Sequence, residues 1–151
     1  MALIRKLRTR SRLRYGFYLL LGLFVLPYFL TVVYAVVPPP VTTLMLWKAV
    51  EVNGIDYRWR PLNQTSQNLV RSVVTAEDAR ICEHAGVDWE VFQAVAREAL
   101  ESEAGPTRGG STITQQVAKN LFLWPSRSYV RKALELPLAM WIDLVWSKRR
   151  V

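Results

Sequence analysis

Between Glu77 and Asp88 the sequence places four carboxylates (Glu77, Asp78, Glu83, Asp88), one arginine (Arg80) and its only histidine (His84) within twelve residues. A carboxylate held beside a hydroxyl can take its proton as the oxygen attacks a carbon, which is general-base chemistry. The same text also fits a solvated helix end with a capping aspartate, because charged residues are mostly exposed. A second segment, Gly109-Gly110-Ser111-Thr112-Ile113-Thr114-Gln115-Gln116, gathers two glycines, three hydroxyls and two amides at a helix start. Such a loop offers backbone amides and hydroxyls to an anionic ligand, as helix N-termini do for phosphate. An ordinary capped helix explains its glycines and threonines but not the paired amides of Gln115 and Gln116. In a third segment, Arg131-Lys132-Ala133-Leu134-Glu135, Arg131 lies four residues and Lys132 three residues before Glu135, on one helical face. Alone, that pattern is a surface salt bridge worth a few tenths of a kcal/mol.

Few elements are left to position these groups, because 151 residues allow one ordinary domain and part of the length is spent elsewhere. Six of the 20 lysines and arginines lie in residues 1–14, which carry no acid. The net charge of +8 therefore sits mostly on a basic tail, and the chain does not read as a nucleic-acid binder. Residues 15–37 carry no charge and would span roughly 34 Å as a helix, enough to cross a bilayer. A cleavable signal would have a shorter apolar region and a small-residue cleavage site, so the segment reads as a retained single transmembrane helix. Cations before the span put the N-terminus in the cytoplasm and the rest outside. Cys82, the only cysteine, cannot form an internal disulfide and reads as a small buried apolar residue.

Pro38, Pro39 and Pro40 stop the span and open a membrane-proximal linker, residues 38–60. Residues 41–61, with the Asn53-Gly54 turn signal, suit two short extended pieces or a helix and a strand. Beyond them the pattern is helical: Val70, Val73 and Val74 lead into Glu77, and Asp88 caps a helix from about Trp89 to Ser102 with Val91, Val95 and Ala99 on one face. A Gly105-Pro106 loop ends that helix, and Arg108 opens the next loop. Thr112 and Gln115 have capping-box spacing for a helix faced by Ile113, Val117 and Leu121. A last helix starts near Ser128, carries Val130, Leu134, Leu138, Trp141 and Val145, and holds Pro137 inside it. The exported part is expected to be mainly α.

In order and spacing the three polar segments resemble the first three motifs of the family 51 glycosyltransferases, the peptidoglycan transglycosylases: E-D-x-x-F-x-x-H-x-G, G-x-S-T-I-T-Q-Q and R-K-x-x-E. The flanking stretches 118–125 and 128–135 are similar to the monofunctional members of Gram-negative bacteria. Ile81 stands where the first motif has Phe, a change expected to alter packing rather than chemistry.

The resemblance implies a lysozyme-like transglycosylase domain, with residues 61–151 as its N-terminal part. The implied reaction polymerises lipid II into glycan strands and releases undecaprenyl pyrophosphate, at the outer face of the inner membrane. It makes Glu77 the general base and Glu135 the second catalytic carboxylate. Arg131 and Lys132 stabilise the pyrophosphate directly or through a divalent ion (Mg or Mn), with no tightly bound cofactor. Gly110, Ser111, Thr112, Thr114, Gln115, Gln116 and Lys119 line the cleft, and Asp78 and His84 orient the first motif. Implied partners are lipid II, the growing strand, the membrane and other cell-wall synthesis proteins. Lys148-Arg149-Arg150-Val151 resembles the opening of a fourth motif, so the domain is expected to be incomplete, with the faces of Val117, Leu121, Leu138, Trp141 and Val145 short of partners and the 151-residue chain marginally stable and nearly inactive. A non-catalytic membrane protein that docks with the wall-synthesis machinery is the alternative. A lytic glycosidase of similar fold is another, but it leaves Arg131 and Lys132 without an anionic leaving group to meet.

Overall fold

The computed structural model describes residues 2–52, 54–102, 109–126 and 128–151, with side chains from Arg14 onward except Val52. The expected Gly105-Pro106 loop, Arg108, and Asn53 of the turn signal lie outside the described residues. Helix α1 runs Ala2–Tyr34, through the basic stretch and the apolar one, with Pro27 inside it. Its segment Arg14–Tyr34 is the one described helix long and apolar enough to cross a membrane. The helix closes at Tyr34, where the amides of Val36 and Val37 both turn back to the Val33 carbonyl, before the prolines remove further donors.

Helix α2 (Thr43–Val52) occupies the segment for which a helix and a strand were one option; residues 54–61 form no strand. A short 3-10 turn, Leu62–Gln64, precedes α3 (Gln67–Asp78). Next come α4 (Trp89–Glu101), capped by the Asp88 side chain on the Val91 amide, and α5 (Ile113–Phe122). Helix α6 (Tyr129–Val145) contains Pro137. Among the described residues the fold is helical throughout, as the sequence pattern predicts.

The core lies where α5 and α6 pack together: Val87, Ala118, Leu121, Leu138, Ala139, Ile142 and Trp146. The buried stripe of α5 is Thr114, Gln115, Ala118 and Leu121, one position round from the expected Ile113–Val117–Leu121 face. On α6 it is Glu135, Leu138, Ala139 and Ile142, while the expected Val130 is exposed. Two alanines let the helices approach closely, and the motif's own polar residues fill the rest of the seam.

The faces of Val117, Leu121, Leu138, Trp141 and Val145 were expected to lack partners, but they have them. Leu121 and Leu138 are buried, and Val117 and Val145 pack on the core together with Tyr28, Tyr34 and Ala35 from the end of the apolar segment. Trp141 donates its indole N–H to Thr31 Oγ1 at 2.7 Å, and Trp146 donates to the Thr31 carbonyl at 2.7 Å. Arg150 Nε adds a bond to the Tyr34 carbonyl at 2.9 Å, with its guanidinium over the rings of Trp59 and Trp146. Neither α3 nor α4 buries an apolar residue, and Leu69, Val73, Trp89 and Leu100 are exposed on them. Cys82 is exposed, contrary to the buried role expected of it, because it sits in the turn after α3 and not on a helix face directed at the core.

Candidate active site

Helix α3 delivers its last two residues, Glu77 and Asp78, to the start of α5. Glu77 is exposed, and Gln116 Nε2 donates to its Oε2 at 2.7 Å. Asp78 is buried and answered on both oxygens, by His84 Nε2 at 2.8 Å and by the Ile113 amide at 3.0 Å. That amide is among those the first turn of a helix leaves without an intrahelical partner, and the carboxylate also faces the positive end of the helix dipole. The two neighbouring acids thus differ in circumstance: Asp78 holds structure, whereas Glu77 keeps an oxygen toward solvent.

The loop before α5 is less open to an anion than its sequence suggests. Thr112 and Gln115 form a reciprocal capping box, with Thr112 N to Gln115 Oε1 at 2.9 Å and Gln115 N to Thr112 Oγ1 at 3.2 Å. With Asp78 on Ile113, the helix-start donors of Thr112, Ile113 and Gln115 are satisfied within the protein. Thr112, though buried, lines the cleft as expected, whereas Thr114 and Gln115, also expected there, are buried and do not reach it. Thr112 Oγ1 also donates to the Gly86 carbonyl at 2.6 Å. Gly86 adopts φ +79°, and a Cβ there would lie 2.5 Å from the Ala139 carbonyl oxygen, so glycine lets the first motif rest directly on α6. Gly86 is the closing glycine of the first motif, and this contact is a physical reason for it.

Glu135 is 2% exposed, on the buried stripe of α6. Arg131 Nη1 and Lys132 Nζ grip its two oxygens, the latter at 2.6 Å. Lys132 Nζ also donates to Ser111 Oγ at 2.8 Å, and Arg131 Nε to the Ser126 carbonyl at 2.7 Å. A buried carboxylate holding two cations is not the weak surface pair that spacing suggests, since removing one partner leaves buried charge uncompensated. The Gly109–Gln116 segment therefore touches both acids' neighbourhoods, Glu77 through Gln116 and Glu135 through Ser111 and Lys132. A cleft of about 150 Å³ opens between Glu77, Arg80, Gly110 and Ser111. Gly110 sits where a Cβ would press on Val95 at 3.1 Å. Arg80 donates to Glu90 and Glu83, and these bonds push its pKa further upward, so it stays cationic at the cleft edge. Lys119 lies in the last turn of α5 and lines a separate cavity with Arg131.

A divalent ion fits this arrangement poorly. Among the described residues no three of His, Cys, Asp and Glu converge, and the carboxylates of Asp78 and Glu135 already have both oxygens engaged. The positive charge on hand belongs to Arg131 and Lys132 themselves.

The family model described as Transglycosylase matches residues 47–151, which hold every group named above. The chain belongs to that family. Among transglycosylase relatives, the biosynthetic peptidoglycan transglycosylase of Agrobacterium fabrum is 53% identical over 133 residues, covering 87% of this chain and 58% of the relative. Those of Rhodopseudomonas palustris TIE-1 and Caulobacter vibrioides are each 49% identical, over 95% and 88% of this chain and 60% and 59% of the relatives. The chain thus spans about 60% of the length of the curated relatives it matches. No solved structure matches it.

Proposed function

We propose that this chain is the membrane-anchored part of a peptidoglycan glycosyltransferase that polymerises lipid II and releases undecaprenyl pyrophosphate. The observation that carries the reading is the contrast between the two glutamates bound to one loop: Glu77 free to take a proton, Glu135 buried as the holder of two cations. The hydroxyl of one lipid-linked disaccharide attacks the anomeric carbon of another, and its proton passes to the Glu77 carboxylate. The bond from that carbon to the pyrophosphate oxygen breaks, and the charge that gathers there is met by Arg131 and Lys132. Because Glu135 fixes both cations before the reaction, little reorganisation accompanies bond breaking. His84, Thr114 and Gln115 position these groups from within the fold, Asp78, Gly110, Ser111 and Thr112 border the cleft, and Gln116 holds Glu77. In this reading α1 is a single-pass anchor in the inner membrane, with its N-terminus cytoplasmic and the remainder periplasmic, an orientation supported by the six cations ahead of the span. An exported site beside the bilayer suits a substrate that never leaves the membrane.

The test uses residues 1–151 continued by the C-terminal part of the Agrobacterium fabrum relative, supplied with lipid II in detergent. Glu77→Gln keeps a partner for Gln116 and removes the base, so polymer formation should fall about 10²- to 10⁴-fold with melting unchanged. Retention of most of the rate would remove Glu77 from the role of base.

A further inference from the structure

Helix α2 is joined to the domain by polar contacts that its apolar sequence gives no hint of. Thr43 Oγ1 bonds to the carbonyls of Asn120 and Leu123, at 3.1 and 2.8 Å, and thereby caps the C-terminal end of α5. Two adjoining cavities result. One, about 420 Å³, is walled by Leu44 and Lys48 of α2, Lys119 of α5 and Arg131 of α6, with three cations and no carboxylate. Lys48 and Lys119 have no ion-pair partner among the described residues, and Arg131 reaches this cavity from the Glu135 cluster. The other, also about 420 Å³, lies along the next face of α2 between Leu46, Trp47, Val50 and Trp124. The two share Leu123 and Pro125, so an apolar groove runs into a cationic basin. Trp47 and Val50 remain 54% and 84% exposed in that groove.

We propose that α2 is a lipid-gripping helix whose groove (Leu46, Trp47, Val50, Trp124) takes the hydrocarbon nearest the pyrophosphate of a polyprenyl-linked substrate, with Lys48 contacting the phosphates. This rests on the reading of the reaction above and adds a determinant outside its three motifs. An amphiphile with a doubly anionic head and a long apolar tail needs a charged socket opening directly onto an apolar track. The α2 groove and the basin beside it form such a junction, and Arg131 connects it to the carboxylate cluster. The groove lies at the base of the chain's membrane helix, since α2 begins nine residues after α1 ends, so a tail leaving it has a short path to the bilayer.

The test measures binding by tryptophan fluorescence of the 151-residue protein in phosphatidylcholine nanodiscs, with undecaprenyl pyrophosphate, inorganic pyrophosphate or added phosphatidylglycerol as probes. Undecaprenyl pyrophosphate should bind more tightly than inorganic pyrophosphate. Leu46→Ser with Val50→Ser should weaken only the polyprenyl probe, by about tenfold or more, as expected for lost apolar contact. Lys48→Gln should weaken both pyrophosphates severalfold. Both serine positions are exposed, and circular dichroism checks that helix content is kept. Binding of the polyprenyl probe that is indifferent to these substitutions would overturn the role of α2 while leaving the reaction standing. A loss that appears equally with phosphatidylglycerol would make the groove a general membrane contact and overturn the proposal. No binding of either pyrophosphate by the unaltered protein would overturn the functional reading itself.

Discussion

Gly86 is the point where three separated segments meet, and adding a single carbon there should damage the molecule. Its carbonyl accepts the Thr112 hydroxyl, and its α-carbon rests on the backbone of α6 at Ala139. In Gly86→Ala the new residue at φ +79° costs about 1–2 kcal/mol from the left-handed backbone alone. Its Cβ would lie 2.5 Å from the Ala139 oxygen, 2.9 Å from the Ala139 carbonyl carbon and 3.0 Å from Asp143 Cβ. Two of these neighbours are backbone atoms of a packed helix, so relief requires moving α6 or the first motif, at about 1–3 kcal/mol for overpacking. The total, about 2–5 kcal/mol, is a large share of the stability of an ordinary domain. Urea unfolding in detergent, followed by tryptophan fluorescence, measures it. Gly86→Asn separates the two causes, because Asn tolerates positive φ but carries the same Cβ. Asn should therefore recover about 1 kcal/mol and leave the larger part of the loss. Full recovery with Asn, or an Ala variant within about 0.5 kcal/mol of the parent, would refute the close approach to α6.

The other expectations follow from burial and hydrogen bonding. Glu135→Gln should destabilise by about 3–5 kcal/mol, since it leaves Arg131 and Lys132 beside a neutral group, whereas Glu77→Gln at an exposed position should stay within about 0.5 kcal/mol in the same urea titration. Thr31→Val removes the nearer acceptor of the Trp141 indole but leaves the Tyr28 carbonyl at 3.1 Å, so the loss should be only about 1 kcal/mol by thermal melting in detergent. Cys82, exposed and the only thiol, should react with a membrane-impermeant maleimide added outside spheroplasts; labelling only after lysis would reverse the proposed orientation.

Local signals in the sequence carried over to the structure where a side chain acts on its own neighbours. Asp88 caps α4 and the Thr112–Gln115 box starts α5, because both depend on contacts within three residues. What periodicity misplaced was the inward face of α5 and α6. A pattern reader weights Ile113, Val117 and Val130, but the helices meet through Ala118 and Ala139, with Thr114, Gln115 and Glu135 beside them. Polar residues bury there because their partners come from other motifs, such as Ser111 reaching Lys132 across 21 residues, and no window along one helix contains such a pair. The same limit applied to the apolar span: its length was legible, whereas the use of Thr31 and Tyr34 by residues more than 100 positions later was not.

That last attachment changes what the first helix does in a bilayer. Thr31 is fully buried, its hydroxyl and carbonyl each accept a tryptophan N–H, and the carbonyls of Tyr34 and Val37 are held by Arg150. These bonds fasten the end of the helix to the domain directly, and not only through the linker that follows it. A membrane-spanning helix answers a thinner or thicker bilayer by changing its tilt. In the proposed anchoring, a change of tilt would be felt at α6 through the bonds at Thr31, so the thickness of the surrounding lipid would bear on the height at which the domain, and Glu77 with it, is held.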